Sequence, residues 1–156
     1  KRKDSTILHL KTIIDNLERQ FTYVFEFRNK SWFEREALIH FRELHNSNQC
    51  PLVLGTSYMD KVDPFFIEGQ EKYYVRMIGN RELTRFDHTQ RKKEDEMDAI
   101  SHKIKEFSQE TGITDFFVIF NNHFRGFSPA DILDLKKQLN LKQKPFRKNA
   151  SLDSFF

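Results

Sequence analysis

Glu26 and Arg28 stand two apart at the end of the run Phe21-Thr-Tyr-Val-Phe-Glu-Phe-Arg28. In an extended chain they share one face, while Tyr23, Phe25 and Phe27 take the other. Arg76 interrupts a second apolar run, Tyr74-Val-Arg-Met-Ile78, and Asn121-Asn-His123 closes a third. Guanidinium groups offer paired donors that suit phosphate or carboxylate, and carboxamides add neutral hydrogen bonds. Arg28, Arg76, Asn121 and Asn122 are therefore the candidate ligand-binding residues. Glu26 is the one obvious general base and His123 the candidate acid, the pair a hydrolase would use. The same residues have a plainer use. Glu26 would pair with Arg76 or Arg28 and the asparagines would satisfy loop backbone groups, because buried charges need partners with or without a ligand.

Other chemistries find less support. His40 and His45 are five apart on a predicted helix and turn away from each other, and His88 and His102 fall in a charged segment, so no metal site is expected. There is no glycine-rich phosphate loop and no serine nucleophile elbow, and nothing in the sequence specifies a cofactor. Trp32 reads as a packing anchor rather than a ligand platform.

The elements that must position these residues are legible from period and turn signals. Ile7, Leu10, Ile13, Ile14 and Leu17 predict a half-buried helix over 4–19, and 21–28 reads as a strand. Ser31 with Glu34 predicts a capping box opening a helix that runs to about His45. A strand follows at 51–56, then a loop from 57 to 70, then a strand at 72–78 closed by Gly79-Asn80. Met97, Ile100, Ile104 and Phe107 mark a charged helix over 88–108, 115–121 is the fourth strand, and Ser128-Pro129 opens a last helix through Leu139. Strands alternating with helices call for a parallel sheet with helices packed outside it. Four such units, at about 30 residues each, make half of a TIM-type β/α barrel. The leading helix would follow an earlier strand, so the reading is the C-terminal half of a barrel over 1–140. Its upstream half would come from missing upstream sequence, from another polypeptide or by self-association. In such barrels the rim at the carboxyl ends of the strands is where sites are built, which is where Glu26, Arg28, Arg76 and Asn121 fall.

Composition bounds the rest. The 156 residues are 38% hydrophobic and 14% aromatic, with 17 Phe, enough for a packed core. No apolar run approaches the length of a membrane span, and Lys1-Arg2-Lys3 leads into an amphipathic segment. A single cysteine, Cys50, excludes an internal disulfide framework and any cysteine-based zinc site. A soluble, cytoplasmic protein of a reducing compartment is expected. The formal charge is +3, but Lys1, Arg2, Lys3, Lys142, Lys144, Arg147 and Lys148 hold more than the whole surplus. A nucleic-acid-binding face is thus disfavoured for the body and allowed for the tail.

Three blocks carry a family resemblance: Val24-Phe-Glu-Phe-Arg-Asn-Lys-Ser-Trp-Phe33, Tyr74-Val-Arg-Met-Ile-Gly79 and Phe120-Asn-Asn-His-Phe-Arg-Gly-Phe-Ser-Pro-Ala130. In this order they resemble the signature blocks of the YecE-like family, known as domain of unknown function 72, over about residues 7 to 139. The resemblance implies a TIM-type barrel of unassigned activity, in which Glu26, Arg28, Ser31, Trp32, Arg76, Gly79, Asn121, Asn122, Gly126 and Ala130 match the family pattern. Thr56 and Ile78 depart from it, the first replacing an acidic residue and the second a histidine, so a rim site would be weakened or retuned there.

Residues 141–156 form a separate basic, proline-containing stretch that ends in Asn149-Ala-Ser-Leu-Asp-Ser-Phe-Phe156. This is similar to the PIP box, the peptide that holds the sliding clamp PCNA. Leu152, Phe155 and Phe156 fall at i, i+3 and i+4, so one helical turn sets all three on one side, with Asn149 in place of the usual glutamine. The motif implies PCNA as partner, an archaeal or nuclear setting with nucleoid or nuclear localisation, and a role in DNA replication or repair, with nucleic acid or a phosphorylated fragment as the candidate substrate. The other open readings are an enzyme or binding protein for a small anionic metabolite, and a non-catalytic scaffold.

Overall fold

A computed structural model describes residues 2–47, 51–59 and 64–142. Cys50, most of the basic tail and the PIP-like residues Asn149, Leu152, Phe155 and Phe156 lie outside the described residues.

The chain runs α1 (Arg2–Asp15), β1 (Tyr23–Glu26), a 3-10 turn (Lys30–Phe33), α2 (Arg35–Ser47), β2 (Leu52–Tyr58), β3 (Lys72–Met77), α3 (Glu94–Phe107), β4 (Asp115–Phe120) and α4 (Ser128–Gln138). The strands form one four-stranded sheet in the order β1-β2-β3-β4, parallel throughout, with Glu26 opposite Gly55, Ser57 opposite Arg76 and Met77 opposite Phe120. The fold is α/β, four parallel strands with helices, as the alternation of patterns predicts.

All the helices pack on one side of the sheet, which follows from which strand positions are apolar. Leu10 and Ile14 of α1 and Phe41 of α2 bury against Leu52 and Leu54 of β2, with Tyr23 and Phe25 of β1 beside them. Met97 and Ile100 of α3 and Leu135 of α4 bury against Val75, Met77 and Phe120. Alternation then assigns Val24, Glu26, Gly55, Ser57, Tyr74, Arg76, Phe117 and Ile119 to the opposite face. Trp32 stacks on Phe27 at 4.2 Å, so it is a packing anchor, as expected.

Four local expectations are corrected. The turn after β1 is closed by Asn29, whose side chain accepts from Ser31 N at 3.0 Å, and a 3-10 turn stands where the Ser31–Glu34 box would have begun a helix. Strand β2 continues through Ser57 and Tyr58 because both pair with β3. Thr56 is not on the open face: it is buried, and its hydroxyl donates to Phe65 O at 2.7 Å. Helix α3 starts at Glu94 rather than 88, because the amides of Gln90 and Arg91 are drawn to Arg125 O at 2.7 and 3.2 Å. Three acidic residues, Glu94, Asp95 and Glu96, then favour the true start through the helix dipole.

Candidate functional site

Glu26 is the last residue of β1 and Arg76 the last but one of β3, so both project from the open face at the carboxyl end of the sheet. Arg76 Nη1 donates to Glu26 Oε2 at 2.7 Å, and Arg28 Nε donates to Glu26 Oε1 at 3.1 Å. Each carboxylate oxygen thus has its own guanidinium. Both pairings that alternation allowed are made at once. Burial works to raise the Glu26 carboxyl, but the hydrogen bond and charge of Arg76, then the charge of Arg28 and the nearby Ser57 hydroxyl, outweigh it and hold the group below its ordinary value of 4.5. Ser57 Oγ is itself buried and meets no partner at hydrogen-bonding geometry, although it lies near enough to act on Glu26.

A carboxylate clamped in this way is ionised and less basic than a free one. Two cations against one anion leave a net positive charge. The Glu26 side chain is 15% exposed and Arg76 28%, whereas Arg28 is 53% exposed. The cluster can therefore receive an anion without first breaking the Glu26–Arg76 bond.

The remaining candidates belong to the loop after β4. Asn121 Oδ1 accepts from His123 N and Asn122 Oδ1 accepts from Ser128 N, both at 3.0 Å, so these oxygens close the loop and open α4. His123 stands edge-on to Phe86 at 4.9 Å, and its Nδ1 is buried without a hydrogen-bond partner. No hydrogen bond among the described residues joins it to Glu26. The structure thus brings Glu26, Arg28 and Arg76 together, while the side-chain oxygens of Asn121 and Asn122 bond loop backbone and the His123 ring packs on Phe86.

The loop beyond β3 and the loop beyond β4 interlock through glycines. Gly79, at φ +69°, packs so closely on His123 and Phe124 that a side chain would meet their backbone, and Gly126, at φ +113°, does the same against His88 and Gln90. Behind them Arg125 reaches Asp134 at 3.0 Å and the fully buried Asp131 at 3.4 Å. Sequence reading missed Ser57, which it placed in a loop, and the buried Asp131, which sits amid ordinary helical spacing.

The family model described as protein of unknown function DUF72 matches residues 1–153. The chain belongs to the DUF72 family. No curated protein matches it. A DUF72 protein of Thermotoga maritima MSB8 has a similar solved structure, with 21% identity, a TM-score of 0.62 and coverage of 86% of this chain and 51% of that one. A DUF72 protein of Enterococcus faecalis V583 is similar at 20% identity and a TM-score of 0.58, with coverage of 91% and 56%. This DUF72 chain therefore spans about half the length of its solved relatives. These neighbours agree with the half-barrel reading of the fold. Among the described residues no helix is long and apolar enough to cross a membrane.

Proposed function

We propose that this DUF72 domain binds an anionic ligand, a phosphate or carboxylate, at the carboxyl ends of its strands. The observation that carries the reading is Glu26 held by both Arg28 and Arg76, which leaves one positive charge and an exposed guanidinium at the sheet's open face. Binding rather than proton transfer is the role, since the carboxyl is held ionised and weakly basic. Calorimetric titration with inorganic phosphate, citrate and a short 5′-phosphorylated oligonucleotide tests it. One of the three should bind and weaken at least about tenfold in Arg28→Ala, a change at an exposed residue that spares the core. Absence of heat with all three, or equal binding by the variant, rejects the reading.

A second reading rests on the tail. Leu152, Phe155 and Phe156, with Asn149, have the spacing of a clamp-binding peptide, beside Lys142, Lys144, Arg147 and Lys148. In this reading the tail tethers the domain to PCNA, and the ligand is nucleic acid or a phosphorylated fragment met during replication or repair. The full chain should bind PCNA at micromolar concentration, and Phe155→Ala with Phe156→Ala should abolish that binding. Binding that survives the double substitution removes the tether.

A further inference from the structure

A cavity of about 140 Å³ opens at the end of the sheet opposite the mouth, where α2 finishes and β2 and β3 begin. Its floor is apolar. Phe41 of α2, Leu52 of β2 and Ile67 of the loop leading into β3 form it, and all three are buried. Gln70 makes one wall, with its carboxamide already engaged by the Leu54 backbone. Beside it Gly69 leaves the rim open, since a Cβ there would meet nothing within 4 Å. The lining comes from α2, from β2 and from one loop, so none of it belongs to the open face of the sheet.

The rim carries opposite charges that do not meet. Arg42 and Asn46 stand four apart on α2 and so share one face, and Glu68 lines the same cavity from the loop. Among the described residues no ion pair joins Arg42 or Glu68 to a partner, whereas Glu43 on the same helix takes His40 at 3.2 Å. One cation, one anion and a neutral carboxamide leave this rim without net charge, unlike the mouth and its surplus guanidinium. A simple anion would gain from Arg42 and lose to Glu68, and a simple cation would do the reverse. A zwitterion gains from both. We infer that this cavity binds an α-amino acid with an aliphatic side chain. The carboxylate takes the paired donors of Arg42, the ammonium takes Glu68, and the Asn46 carboxamide, both donor and acceptor, serves either group. The side chain rests on Phe41, Leu52 and Ile67, in a volume that holds about six carbon atoms. The inference is separate from the anion-binding reading and uses none of its residues.

Saturation-transfer NMR of the full chain with L-leucine tests the site. Binding should saturate below about 10 mM, and 4-methylpentanoate and 3-methylbutylamine, which each keep one charge, should bind at least about tenfold more weakly. Arg42→Gln and Glu68→Gln, changes at exposed residues that spare the floor, should each weaken L-leucine by about tenfold or more. Arg28→Ala should leave L-leucine binding as it is, because the mouth lies at the other end of the sheet. No saturation by L-leucine, equal binding of either analogue, or a smaller change in either glutamine variant overturns the inference. Loss of binding in Arg28→Ala would place the amino acid at the mouth and overturn it as well. The two analogues probe the charges on the unaltered protein, so the test does not depend on the variants folding. Failure here leaves the anion-binding titration unaffected.

Discussion

Arg76 Nη1 lies 2.7 Å from Glu26 Oε2, yet the two residues belong to strands that are not neighbours in the sheet, since β2 runs between β1 and β3. The pair crosses β2 above Gly55 and Ser57, which the register sets opposite Glu26 and Arg76. Small residues at these two positions leave the two longer side chains room to meet.

Glu26→Gln removes the charge but keeps the shape. The folded-state carboxyl is lowered, so its contribution to stability is present above the ordinary value of 4.5 and is lost as pH falls through the folded-state value. Urea denaturation at pH 7 should show the variant less stable by about 1–2 kcal/mol, allowing for partial exposure of both arginines. The difference should shrink as pH drops below 4.5. A gap that persists unchanged at pH 3 would mean the pair's charge is not what stabilises it.

Asp131 should behave in the opposite sense. It is fully buried and burial pushes its carboxyl up to about 6, against the attraction of Arg125. A raised carboxyl favours folding below its ordinary 3.8, and that advantage is lost as pH rises through about 6. Asp131→Asn should therefore raise the stability at pH 7.5 by about 1–2 kcal/mol and give no gain at pH 3.5. Loss of stability at pH 7.5 would show that the Arg125 contact outweighs the cost of burying the charge.

Gln70 repairs a gap in the sheet. Pairing between β2 and β3 begins at Thr56 and Val75, and upstream of it the Gln70 side chain accepts from Leu54 N at 2.6 Å and donates to Leu54 O at 3.4 Å. Gln70→Ala would strand both buried backbone groups and should cost about 2 kcal/mol or more. Hydrogen exchange should be faster at the Leu54 amide, and a protected Leu54 amide in the variant would count against this role.

The glycine interlock predicts a local failure with a distant reporter. Gly79→Ala places a Cβ against the backbone of His123 and Phe124 at a positive φ. The expected loss exceeds about 2 kcal/mol. Limited proteolysis should begin cutting within 79–93, and His123 should lose its contact with Phe86, visible as a shift of its ring resonances. An unchanged His123 spectrum would separate the two loops.

The sequence by itself determined the order of elements, the parallel arrangement and the two faces of the first strand, because these depend on short-range period. Strand alternation set Glu26 and Arg28 apart from Tyr23, Phe25 and Phe27, and Ser128-Pro129 marked the start of α4. It also paired Glu26 with Arg76 or Arg28 as alternatives, and it could not choose, since register between distant segments is not a local property. Tertiary structure decided that both guanidiniums bind Glu26, that Ser57 belongs beside them, and that the Asn121 and Asn122 side-chain oxygens bond loop backbone. It also moved the start of α3 to Glu94, because Arg125, more than 30 residues away, captures the amides of Gln90 and Arg91. Each of these outcomes rests on contacts between segments far apart in the chain, whose energies no local pattern records.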